Sequence, residues 1–113
     1  MTRPRLLCLS LAVLLVSSDI TAADAPRAAE GAVHTVVIEN MRYNPPELSV
    51  HRGERIVWVN KDLFPHTVTA AAHAFDSGSI AAGASWTYVA GKAGEYAYGC
   101  TFHPTMKAIL RVQ

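Results

Sequence analysis

The chain has 113 residues, half of them hydrophobic, with 10 lysines and arginines against 9 aspartates and glutamates and a formal charge of +1. A length of this order allows one domain. The near-neutral balance excludes a nucleic-acid binder, which shows a clear basic excess, and offers an anionic membrane surface nothing to attract.

In chain order, the first segment is "MTRPRLLCLSLAVLLVSSDITAADA". Arg3 and Arg5 precede an 11-residue apolar run from Leu6 to Val16, and small residues follow at Thr21, Ala22, Ala23 and Ala25. This is the layout of a secretory signal peptide, expected over residues 1–23 with cleavage after Ala22 or Ala23. The run is too short for a membrane span, which needs about 20 residues, so no membrane insertion is expected after cleavage. Cleavage removes Arg3, Arg5 and Asp19, leaving 8 basic and 8 acidic residues and a neutral mature chain. It also removes Cys8, so Cys100 is left without a partner for an internal disulfide. An exported lone thiol is a buried inert cysteine, a reactive thiol or a metal ligand.

Residues 24–32, including "DAPRAAEG", form an alanine-rich leader without hydrophobic periodicity. A domain is expected over 33–113. "VHTVVIE" (33–39) is rich in β-branched residues, and Asn44, Pro45 and Pro46 then mark a turn or irregular edge. "LSV" (48–50) leads to a turn at Gly53, and "RIVWVN" (55–60) alternates. "HTVTA" (66–70), "SWTYV" (85–89), "EYAYGC" (95–100) and "AILRV" (108–112) continue the pattern, with Gly78 and Gly83 limiting any helix between 69 and 84. Short strands at this spacing predict an all-β antiparallel sandwich or barrel. Trp58, Trp86, Tyr96 and Tyr98 read as core or strand-face aromatics. His34, His51 and His73 read as solvated or locally hydrogen-bonded.

The strand at 95–100 ends on Cys100, and "TFHPT" joins it to Met106 before the last strand. Cys100, His103 and Met106 thus stand three residues apart, and their side chains converge only if the loop doubles back. Pro104 assists by fixing its own φ and biasing His103 towards extended geometry. If strands 66–70 and 95–100 meet at one end of the sandwich, His66 in "FPHTV" faces Cys100. Structural zinc sites favour Cys and His without Met, and calcium and magnesium want oxygen. Two histidines, one thiolate and a weak thioether are the ligand set of blue-copper electron-transfer sites.

With these residues in view, the segment from about Val33 to Gln113 resembles the small cupredoxins, most of all the amicyanins and more distantly the plastocyanins and pseudoazurins. The resemblance rests on Cys-x-x-His-x-x-Met at 100–106, on "VWVN" followed by "PHTV", and on "GEYAYGC". It implies an eight-stranded Greek-key β-sandwich and one copper per chain cycling between Cu(I) and Cu(II). It implies His66, Cys100 and His103 as equatorial ligands and Met106 as the axial one. It further implies a periplasmic electron carrier, expected to be a monomer, whose partners are redox proteins such as a periplasmic dehydrogenase or a c-type cytochrome. Phe64, Pro65, Phe102 and Pro104 would rim the exposed edge of His103, where such partners dock.

Two residues depart from the family pattern. Thr67 replaces the asparagine that often ties the two ligand loops together, and its shorter hydroxyl puts a clamp to Thr101 in question; its backbone N–H can still donate to the Cys100 sulfur. Phe102 replaces a common proline, restoring a backbone N–H that is expected to point at the thiolate and raise the reduction potential. No enzyme is expected, because four filled metal positions leave no open site. The alternative is a copper-handling chaperone or resistance protein; the mature chain's two methionines, Met41 and Met106, weigh against it.

Overall fold

The structure, a computed structural model, describes residues 31–113. The expected signal peptide and nearly all of the leader lie outside these residues. Eight strands form: β1 (Val33–Glu39), β2 (Arg42–Asn44), β3 (Glu47–Val50), β4 (Arg55–Asn60), β5 (Thr69–Ala70), β6 (Ser85–Val89), β7 (Gly94–Gly99) and β8 (Lys107–Val112). They make two four-stranded sheets, ordered β2-β1-β4-β6 and β3-β8-β7-β5. Both sheets are mixed, because β1 pairs with β4 and β3 with β8 in parallel while the other neighbours are antiparallel. The expected all-β sandwich is observed, but not as a purely antiparallel one, because β4 and β8 each join a non-consecutive strand running the same way. Among the described residues there is no α-helix, only a 3₁₀ turn at Ala71–His73.

Alternation in the sequence becomes the core directly. In β1, Val36 and Ile38 point inward; in β4, Ile56 and Trp58 do so, and in β8, Ala108, Leu110 and Val112. Fully burying a side chain of this size contributes about 1.5–3 kcal/mol. Trp58, at 0 % exposure, packs against Phe75, Trp86 and Tyr98 between the sheets, and its indole N–H donates to the Tyr98 hydroxyl at 3.2 Å. The aromatic residues are thus core and strand-face groups, as expected. Burial, against the donation from Trp58, pushes the Tyr98 phenol up to about 12.

Two expected segments differ. The turn or irregular edge expected around Asn44 is a short edge strand, β2, that ends in a bend at Pro45 and Pro46; β1 offers Val37, Ile38 and Glu39 as its pairing partners. The strand expected over 66–70 is limited to Thr69–Ala70. Upstream of it the backbone of His66 exchanges hydrogen bonds with Ile80, at 3.1 and 2.7 Å, and Val68 pairs with Ser77. The segment around 76–80 folds back along this stretch in place of a neighbouring strand. The result is that His66 enters from a loop pinned on both sides.

Candidate metal centre

β7 delivers Cys100 to one end of the sandwich, and β8 begins one residue after Met106. The loop between them consists of two successive tight turns. The His103 N–H donates to the Cys100 carbonyl at 3.3 Å, and the Met106 N–H donates to the His103 carbonyl at 2.9 Å. Each turn advances the chain three residues and returns it to the same side, which is the physical content of the three-residue spacing. The Cys100 N–H then closes the loop onto the Met106 carbonyl at 3.3 Å. Gly99 makes this closure possible: a Cβ built there would stand 2.6 Å from the Met106 carbonyl oxygen.

The opposite wall comes from the chain after β4. Asn60, fully buried, donates from its side-chain amide to the carbonyls of Phe64 at 2.7 Å and Ile80 at 3.0 Å, while its side-chain oxygen accepts the Asp62 N–H at 3.0 Å. This one side chain holds the 60–66 loop in place. His66 at its end is 0 % exposed. Its Nδ1 lies 3.8 Å from the Cys100 sulfur, and His103 Nδ1 lies 3.6 Å from the same sulfur. The ligand atoms of the three residues all lie within 4.8 Å of one another. Met106 is buried beside them, and the loop hydrogen bonds fix its backbone.

The spacing can be tested against metal geometry. A first-row ion held in a trigonal plane, about 2.3 Å from sulfur and 2.0 Å from nitrogen, separates the two by about 3.7 Å. The observed separations bracket that value. The residues are spaced for a common partner rather than for each other, and the donor set of thiolate, two imidazoles and a thioether suits copper. His66, Cys100, His103 and Met106 are thus positioned as a copper site.

The two departures resolve differently. Thr67 does reach across: its hydroxyl oxygen accepts the Thr101 N–H at 2.9 Å, and the two hydroxyls lie 3.3 Å apart. The clamp in question from the sequence is present, because the loops approach closely enough for a short side chain. The Thr67 N–H donates to the Cys100 sulfur at 3.3 Å, as expected. The Phe102 N–H, expected as a second donor, is not among the groups that the sulfur engages. It belongs to the central peptide of the Cys100–His103 turn, which stands across the turn instead of facing its first residue.

Around this pocket Tyr43 donates its hydroxyl to the Thr67 carbonyl, and burial, with the nearby Cys100, raises that phenol far above its ordinary range. Outside, Phe64 and Phe102 are 57 and 52 % exposed, and Pro65 and Pro104 are exposed beside them. Leu63, which sequence reading passed over, extends this apolar rim at 88 % exposure. His34, His51 and His73 lie apart from the site; His34 pairs with Glu54, and His73 lies 3.6 Å from Asp76.

Sequence reading missed Asn60 and Asp62. Asp62 Oδ2 lies 2.7 Å from His66 Nε2, and its carboxylate also accepts the N–H groups of Asn40 at 2.7 Å and Met41 at 3.0 Å. Burial works to raise the Asp62 carboxyl, but these donors outweigh it and hold the group below its ordinary range. The available signal was the four-residue offset between Asp62 and His66 within "NKDLFPH".

Comparison with known proteins agrees with this geometry. A cupredoxin-like domain profile matches residues 7–112. Amicyanin of Paracoccus versutus is 33 % identical over 99 residues, covering 83 % of this chain and 72 % of that protein. The structure of an amicyanin variant in its reduced Cu(I) form superposes with a TM-score of 0.68 at 29 % identity, covering 77 % of this chain and 87 % of that one. A copper-containing nitrite reductase from Thermus scotoductus matches with a TM-score of 0.67 at 27 % identity, covering 71 % of this chain. This chain spans only 22 % of that enzyme's length. The buried Cys-His-His cluster, the mixed eight-stranded sandwich and these similarities together establish that the chain belongs to the cupredoxin family.

Proposed function

We propose that this protein is a type 1 blue copper protein that carries single electrons between redox partners in the periplasm. His66, Cys100 and His103 would be its equatorial ligands and Met106 the axial one. The observation that carries the reading is the placement of two imidazole Nδ1 atoms 3.6 and 3.8 Å from one buried sulfur. Copper, when bound, supplies the Cu(II)/Cu(I) couple. The chain's own residues limit rearrangement: Asn60 and the Thr67–Thr101 clamp hold the two ligand loops at a fixed separation. Thiolate and thioether suit Cu(I), while imidazole and thiolate also stabilise Cu(II), so one compromise geometry serves both states.

The half-buried ring of His103 is the route by which electrons enter and leave, and the apolar rim of Leu63, Phe64, Pro65, Phe102 and Pro104 is the docking face for a dehydrogenase or c-type cytochrome. Export occurs through a signal peptide at residues 1–23, with the cupredoxin domain at 33–113 acting as a monomer. The role is that of a carrier and not an enzyme, since four side-chain ligands leave no position for a substrate.

The test is the absorption spectrum of the Cu(II) protein. An intense thiolate-to-copper charge-transfer band, lost in Cys100→Ser, is the expected result. A colourless, readily exchanging Cu(I) site would overturn the carrier reading in favour of copper handling.

A further inference from the structure

The two histidines of the site are not equivalent. His103 makes no contact with a carboxylate among the described residues, whereas His66 Nε2 lies 2.7 Å from Asp62 Oδ2. A carboxylate of this kind only accepts, so the proton in that contact sits on His66 Nε2, and Nδ1 keeps its lone pair towards the Cys100 sulfur. We propose that Asp62 is a positioning residue of the metal centre, holding His66 in its Nε2–H tautomer and strengthening Nδ1 as a donor to the oxidised metal. This inference rests on the ligand assignment proposed above.

Asp62 is itself held in place. Asn40 and Met41 occupy the turn between β1 and β2 with φ of 53° and 61°, and both direct their N–H groups at its carboxylate. Two successive left-handed residues aim consecutive N–H groups to one side, forming a small anion cradle. The Asp62 N–H is taken by Asn60, and the Asp62 side chain is only 11 % exposed. The carboxylate is therefore oriented by two backbone N–H groups, on a residue whose own N–H is anchored by Asn60, before it meets the imidazole. An imidazole whose N–H donates to a carboxylate becomes more basic at its other nitrogen. The stronger donor and the nearby negative charge both favour Cu(II) over Cu(I). Asp62 therefore lowers the reduction potential.

Asp62→Asn keeps the shape and removes the charge; its single amide oxygen can take the place of Oδ2, which meets Met41 and His66, while the contact of Oδ1 with the Asn40 N–H is lost. On the copper-loaded protein its potential is expected to rise by about 59 mV, the equivalent of a tenfold loss of Cu(II) over Cu(I) affinity for a one-electron couple. Asp62→Glu is expected to recover part of that shift. An unchanged or lowered potential in Asp62→Asn would overturn the proposal. A second measurement does not depend on any variant folding. Ring-nitrogen NMR of the unaltered protein in its diamagnetic Cu(I) form is expected to show the His66 proton on Nε2 and protected from solvent exchange; a proton that exchanges freely there overturns the proposal too. If the unaltered protein takes up no copper, the ligand assignment itself fails and this inference falls with it. Copper uptake with an indifferent Asp62→Asn potential removes the inference alone.

Discussion

At one end of the sandwich, His34 Nε2 lies 3.1 Å from a buried Glu54 oxygen, and the other Glu54 oxygen accepts the His51 N–H. At the opposite end, His66 Nε2 meets Asp62 across 2.7 Å, and that carboxylate likewise collects backbone N–H groups from a turn. The chemistry of the two pairs is the same. What differs is the second ring nitrogen. The His34 side chain is 30 % exposed and its ring reaches no sulfur, so the pair there closes the β3–β4 turn against β1. The His66 side chain is wholly buried, and its remaining nitrogen faces Cys100. A carboxylate–histidine pair becomes part of a metal centre only when the fold aims the free nitrogen at other soft donors.

Substitutions at each end test this contrast. The largest effect is expected at Gly99, on the site end. Gly99→Ala places a methyl carbon against the Met106 carbonyl, a backbone atom that cannot swing aside. The cost should sit at the upper end of the about 1–3 kcal/mol typical of overpacking. Denaturant melts of the metal-free protein would record it, and the Cu(II) spectrum should shift because Met106 is displaced; an unperturbed spectrum would show that the loop closure is not what seats the thioether.

Thr67→Val comes next. It removes the acceptor for the Thr101 N–H while keeping volume and the N–H that reaches the sulfur, and about 1 kcal/mol of stability should be lost. Faster hydrogen exchange at the Thr101 amide, with the blue band retained, is the expected signature. Loss of the band would mean that the clamp sets the ligand geometry and not merely the loop spacing.

The smallest effect belongs to the far end and depends on pH. The Glu54 carboxyl is lowered from 4.5, chiefly by the His51 N–H, with burial opposing and His34 assisting. Because the folded value is depressed, its contribution is fully present above the ordinary value and lost as pH falls through the folded one. Glu54→Gln should flatten that part of the acid limb in thermal melts recorded across this range. The Cu(II) spectrum at neutral pH should not change; a change there would join the two ends and undo the contrast.

Much of this was legible before the fold was known. Cys100, His103 and Met106 announce themselves because their spacing is local: two tight turns suffice to converge them. His66 joins them in the sequence only on the condition that strands 66–70 and 95–100 meet at one end of the sandwich, and through the resemblance to the amicyanins. Asp62 could not be read in the same way. An aspartate near a loop lysine looks like a solvated charge, and its role depends on Asn40 and Met41, which arrive from more than twenty residues upstream. The reach of Thr67 also escaped sequence reasoning, since it turns on how closely two loops approach, a distance that packing sets. β2 escaped for a related reason: of its three residues only Tyr43 favours extension, and β1 supplies the rest by pairing.

The position of β8 has one more consequence. It lies between β3 and β7, pairing in parallel with a strand some sixty residues earlier and antiparallel with the one just before the metal loop. Contacts of such sequence separation close late in folding, because loop entropy must be overcome before they contribute. The β7–β8 hairpin that gathers Cys100, His103 and Met106 is local, but it takes its place in the sandwich only when β8 meets β3, and His66 reaches Cys100 only across 34 residues of chain. Until then the thiol lacks its second imidazole, so a correctly built centre is a record that the whole sandwich has already closed.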